Sequence, residues 1–180
     1  MRVALAAVGL FGASASGACS ASDCRVGYES NPLVPFRGGL RYAADGAPAD
    51  EMAGGTRPPV YYETSTPAGE HLDFNGGARY CIYHGLGYRP FRVEPWVSFS
   101  STGTTNGNEA KPAGNMLEVL HVDACVIIVR NDSCGEYYLR VAASDPILSE
   151  LGAAPAACDG AAGDPCIDPD DTEQLRAAPA

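Results

Sequence analysis

Hydrophobic residues in the middle of this chain come in short runs of β-branched and aromatic type, cut every few positions by Gly, Pro or Asn. Val60-Tyr61-Tyr62-Glu63-Thr64 and Arg79-Tyr80-Cys81-Ile82-Tyr83 have this character, which suits a pleated, half-buried surface rather than a helix. Phe91, Val93, Val97 and Phe99 alternate with Arg92, Glu94, Trp96 and Ser98, so a strand here sets an apolar face against a mixed one. Pro95 lacks the donor that a ladder needs and predicts an edge strand or a bulge. Residues 117–124 alternate again, with Leu120, Val122 and Ala124 on one face and His121 and Asp123 on the other. Val126-Ile127-Ile128-Val129 is apolar on both faces, the pattern of a central strand. Asn131-Asp132 then predicts a turn into a last strand, where Tyr137, Leu139 and Val141 alternate with Tyr138 and Arg140. No segment of this region keeps apolar residues at helical spacing for three turns, and the one helix expected is short, from Pro146 to Gly152. The expected fold class is therefore all-β, an antiparallel β-sandwich or jelly roll over residues 58–143, with Val126, Ile127, Ile128, Val129 and Leu139 among its most buried positions.

The flanks read differently. Residues 19–57 and 144–180 are rich in Ala, Gly, Pro and Asp, and such stretches bury too little apolar surface to offset the entropy of ordering them. They predict a disordered, mostly irregular tether, which includes the short apolar islands Leu33-Val34-Pro35-Phe36 and Leu40-Arg41-Tyr42, and a disordered tail. Within the domain, residues 100–115 are polar, with Gly103, Gly107 and Gly114 and no apolar anchor, and are expected to form a mobile binding loop or a long hairpin connection. The run Gly135-Glu136-Tyr137-Tyr138-Leu139-Arg140-Val141 resembles the closing strand of small bacterial secreted sandwich domains, including those appended to exported peptidases.

Residues 1–18 have the layout of an export signal: Met1-Arg2, a small-residue apolar run over 3–15, then small residues. The run falls short of the ~20 apolar residues that span a bilayer. Two cleavage sites are open. Ala13-Ser14-Ala15 suits ordinary signal peptidase and would leave a free extracellular protein starting at Ser16. Ser16-Gly17-Ala18-Cys19 resembles the lipobox of bacterial lipoproteins, which implies a lipid on Cys19, a membrane partner and a place in the cell envelope. The chain has seven cysteines, and an odd count in an oxidising compartment leaves one over. Lipidation of Cys19 would leave Cys24, Cys81, Cys125, Cys134, Cys158 and Cys166 for disulfides. Proximity favours Cys158 with Cys166, the turn at Asn131 favours Cys125 with Cys134, and Cys24 would then join Cys81.

Formal charge is −10 over the whole chain, and 12 basic residues less Arg2 against 22 acidic ones make the mature chain −11. A nucleic-acid partner is excluded for want of clustered positive charge. His71-Leu72-Asp73 and His121-Val122-Asp123 each put an imidazole and a carboxylate on one face of a strand, and His71, Asp73 and His121 together are the candidate metal ligands of an exported enzyme. With Arg130 following, their order resembles the iron- and 2-oxoglutarate-dependent oxygenases. Neither a G-x-S-x-G nucleophile turn, a phosphate loop nor a zinc spacing is present, so no motif names a reaction or a cofactor. Asp159, Asp164, Asp168, Asp170 and Asp171 suit either calcium or solvent. Tyr61, Tyr62, Tyr80, Tyr83, Tyr88, Trp96 and Tyr138 cannot all face one core, and rings on an outer sheet face are expected either to pair across strands or to bind a protein or carbohydrate ligand. The function expected is that of a non-enzymatic cell-envelope protein displaying a binding or structural β-sandwich.

Overall fold

The computed structural model describes residues 31–49, 59–103, 108–145 and Cys166. The expected leader and Cys19, and also Cys24, Cys158, the expected short helix and the acidic residues from Asp159 to Asp171, lie outside these. Described strands are β1 (Leu33–Phe36), β2 (Leu40–Tyr42), β3 (Tyr61–Glu63), β4 (Leu72–Phe74), β5 (Arg79–Tyr83), β6 (Arg92–Ser98), β7 (Glu118–Val122), β8 (Val126–Arg130) and β9 (Tyr137–Ser144). They form two sheets of an all-β sandwich. The first has the order β1-β5-β8-β7; the second is built on β9, with β6 along one flank, β3 and β4 end to end along the other, and β2 outside β3. Pairing is antiparallel throughout except between β1 and β5. No helix among the described residues is long and apolar enough to cross a membrane.

Alternation along the strands fills the space between the sheets. Tyr62, Phe74, Ile82, Val97, Ile127, Val129, Leu139, Val141 and Ala143 make one buried cluster, each from the inward-facing set of its strand. The doubly apolar run of β8 is explained by what covers its other side: Val126 packs outward with Leu33, Cys81, Tyr83 and Cys166 in a second cluster. β6 is the edge its proline predicts, pairing with β9 on one side and, among the described residues, carrying on the other only the isolated Val97–Ala110 bridge in place of a strand. Its apolar face runs from Val93 to Val97 and stops there, because Phe91 and Phe99 are 78% and 75% exposed.

Three expectations are corrected by the structure. The stretch read as an irregular tether contributes β1 and β2, since each apolar island adds to an open sheet edge, where ladder hydrogen bonds supply what four or three residues cannot bury alone. Gly39, at φ +101°, lets the chain cross from one sheet to the other between them; a Cβ there would run into the Glu63 carbonyl and the Tyr62 ring. Asn131 does not turn a hairpin either, because β8 and β9 belong to different sheets. It is fully buried and ties the connection down: its amide donates to the carbonyls of Phe74 at 2.7 Å and Gly135 at 2.9 Å, and its Oδ1 accepts from the Ser133 N–H and hydroxyl.

The third correction concerns disulfides. Cys81 bonds Cys166, not Cys24, and this removes the expected Cys158–Cys166 link as well. Proximity in sequence misled because β5 presents Cys81 on the outer side of the first sheet, where Cys166 docks with a Cα separation of 5.5 Å. Cys125 and Cys134 are also disulfide-bonded, but β8 lies extended between them. Its steps of ~3.3 Å carry the two Cα atoms well beyond the ~7 Å that one bridge can span.

Candidate functional site

Arg140 sits in mid-strand between Leu139 and Val141, and alternation turns it through the outer face of the second sheet. It is nonetheless only 5% exposed, because neighbours close over it from both flanks. Nε donates to Glu109 Oε1 at 2.5 Å and Nη1 to Glu63 Oε2 at 3.4 Å. Trp96, directly across on β6, lays its ring 5.5 Å from the guanidinium carbon, and the Lys111 ammonium lies 3.9 Å from the centre of the same ring. Glu63 also accepts the hydroxyls of Tyr42 and Tyr61, each at 3.2 Å, and those rings stand 5.7 Å apart. Burial, then the Glu63 carboxylate, push the Tyr61 phenol up to about 12. Burial alone would make Arg140 a weaker base, but Glu109 and Glu63 more than reverse this, so the guanidinium stays charged.

The ladder beside Arg140 is interrupted. β3 ends with Glu63 opposite Ala142, and β4 begins with Leu72 opposite Leu139, so Arg140 and Val141 have no strand on that flank. The chain between fills the gap: Thr64 N–H donates to the Val141 carbonyl, and the Val141 N–H donates to Thr64 Oγ1. Residues 64–71 then loop out and return through His71, whose N–H donates to the Ser101 carbonyl at 2.7 Å. The His71 imidazole is buried with Nδ1 3.1 Å from Ser65 Oγ and Nε2 3.5 Å from Glu109 Oε1. Nε2 has no hydrogen-bond partner. Burial lowers its basicity, with Glu109 offsetting part of the effect, and the ring is neutral at pH 7. The Gly103 backbone packs directly against Nε2, where a Cβ would collide with the ring.

His71, Asp73 and His121 are not brought together. Asp73 is exposed on β4 across from Tyr138. His121 stands on β7 of the other sheet, exposed, with Nε2 3.0 Å from Asp123 Oδ2. The His-x-Asp spacing puts residues on one face of one strand but says nothing of which sheet that strand joins. Among the described residues no three His, Cys, Asp or Glu side chains gather into a metal site. Arg130, the co-substrate position of the oxygenase resemblance, pairs with Glu118 at 2.6 Å on the first sheet. The polar loop supplies more than a connection, since Glu109 from it closes over Arg140 and Ala110 bridges Val97.

Sequence reasoning passed over Ser65, Glu63, Glu109 and Arg140. The available signal was a lone charge at the centre of an apolar-alternating strand, in Tyr-Leu-Arg-Val and again in Tyr-Tyr-Glu-Thr. Such a charge is either solvated or paired, and β9 is flanked on both sides.

His84 was passed over too, and it sits fully buried in the core. Its Nδ1 accepts the Leu86 N–H at 3.2 Å and Nε2 faces the Asp123 carbonyl at 3.2 Å, so the neutral ring is satisfied while a proton on Nδ1 would face a donor. Burial chiefly lowers its pKa from 6.5 to about 4. The unfolded chain therefore takes up this proton near pH 6.5 and the folded one does not until about pH 4. Between those values the unfolded state binds more protons, and stability is expected to fall as pH drops; above 6.5 this group has no effect. The full loss is about 3 kcal/mol. Urea unfolding from pH 7 to pH 4 with wild type and His84→Gln checks it: the difference between them should shrink by that amount on acidification, and a constant difference would contradict the assignment.

Comparison with protein-family models, with curated proteins and with solved structures finds no match to this chain.

Proposed function

We propose that this is an exported cell-envelope protein, anchored by a lipid on Cys19, whose β-sandwich binds carbohydrate on the outer face of the β9 sheet. The observation that carries the reading is the state of that face: Tyr42, Tyr61 and Trp96 surround Glu63, Glu109 and Arg140, and every one of these groups is held by another. Rings offer flat apolar area to a sugar, and rings already fixed by the Glu63, Glu109 and Arg140 network beneath them lose little entropy on binding. The leader and the odd cysteine count support export and anchoring.

Trp96 is the single tryptophan of the chain, and its emission reports this face alone. Titration with soluble cell-wall glycan fragments is expected to shift that emission saturably, as a ligand displaces Lys111 from the ring, and Tyr61→Ala should abolish the shift. Emission unchanged by all fragments would refute the binding surface. The anchor is tested separately by mass spectrometry of natively expressed protein: diacyl or triacyl addition at Cys19 is expected, and an unlipidated chain beginning at Ser16 would refute it.

A further inference from the structure

We propose that Ser65 and His71 form an acyl-transfer centre for carboxylic esters, with Glu109 as the positioning carboxylate behind the imidazole. The centre needs neither the lipid anchor nor carbohydrate binding.

Ser65 Oγ is 3.1 Å from His71 Nδ1, within reach of direct proton transfer. Ser65 is half-buried, and the side chains of His71 and Glu109 lie deeper, 0% and 9% exposed. All three stand where the β9 ladder is interrupted, so loop backbone rather than a neighbouring strand borders the hydroxyl. With Nδ1 turned to the serine, the neutral ring carries its proton on Nε2, and that atom is buried, without a hydrogen-bond partner, 3.5 Å from Glu109 Oε1.

That unmet group gives the arrangement its direction. When Nδ1 accepts the serine proton the ring becomes a cation facing a carboxylate, and in a buried site this attraction far exceeds that of the neutral ring. The contact is therefore strongest in the transition state, which is the condition for lowering a barrier rather than merely binding. Arg140, bonded to the same Glu109 oxygen, fixes the position of the carboxylate by a charge-assisted hydrogen bond.

In the first step Ser65 Oγ bonds to the ester carbonyl carbon as its proton passes to His71 Nδ1. The tetrahedral intermediate then breaks its bond to the alcohol oxygen, which leaves with the proton from His71, and the acyl group stays on Ser65. Water attacks that acyl carbon while giving a proton to His71; the bond to Oγ breaks, Ser65 recovers the proton, and the carboxylic acid departs. Ester and water become acid and alcohol, with no redox partner.

The test treats the full chain, disulfides intact, with a fluorophosphonate probe. Peptide mass spectrometry is expected to find one phosphonyl group, on Ser65, in folded protein and none in urea-unfolded protein. His71→Gln should slow the labelling on the order of 100-fold. The charged groups facing His71 are Glu109 from the loop and Arg140 from β9, and the carboxylate raises the basicity of the ring. Glu109→Gln should accordingly move the pH midpoint of labelling downward, a change that a purely structural role would not produce. Folded wild type left unlabelled at Ser65 overturns the proposal whether or not any variant folds, as does labelling at an equal rate in folded His71→Gln.

Discussion

Replacing Cys81 and Cys166 together by alanine is expected to destabilise the fold by about 4 kcal/mol. The bond joins residues 85 apart in sequence, and without it the unfolded chain regains the freedom that closing so long a loop removes. Cys166 also packs against Leu33, Tyr83 and Val126 on the outer side of the first sheet, so its release should bare an apolar face. Urea unfolding under non-reducing conditions measures the difference. A loss below about 1 kcal/mol would show that the face is covered without help from the bond.

Arg140→Met is expected to cost about 3–5 kcal/mol, because removing the cation leaves Glu63 and Glu109 buried side by side. Methionine fills most of the volume, so the loss reads the charge rather than a cavity. Adding Glu63→Gln and Glu109→Gln to the same variant should recover much of it, since an apolar or neutral replacement of a whole buried ionic group is often nearly neutral. The comparison needs only denaturant midpoints at pH 7. Equal stability of Arg140→Met and wild type would mean that water reaches the carboxylates.

Sheet structure was legible in this sequence wherever sustained alternation or an unbroken β-branched run marked it. β6, β8 and β9 fall where Val93 and Val97, the Val126-Ile127-Ile128-Val129 run, and Leu139 and Val141 place them. The short strands β1 and β2 were not, since Leu33-Val34-Pro35-Phe36 and Leu40-Arg41-Tyr42 owe their order to an edge offered by another strand, which local propensity does not encode. Nor did local spacing reveal the cluster around Arg140. Glu63, Ser65, His71, Glu109 and Arg140 meet only because β3, β4, β6 and β9 share one sheet, and a motif read along the chain, such as His71-x-Asp73, cannot report on pairing across it. The disulfide partner of Cys81 escaped for the same reason.

β9 is the last described strand in the chain, yet it is the one on which β3, β4 and β6 all depend. Tyr61 waits for Ser144, Leu72 for Leu139 and Arg92 for Ser144, so among the described strands no ladder of that sheet except the β2–β3 pair can close before β9 itself has left the ribosome. Pairings of such long range pay their loop-closure entropy before they gain contacts and form slowly. A nascent chain of this topology holds its second sheet open until β9 has emerged, and that sheet then assembles in one late step around its own centre.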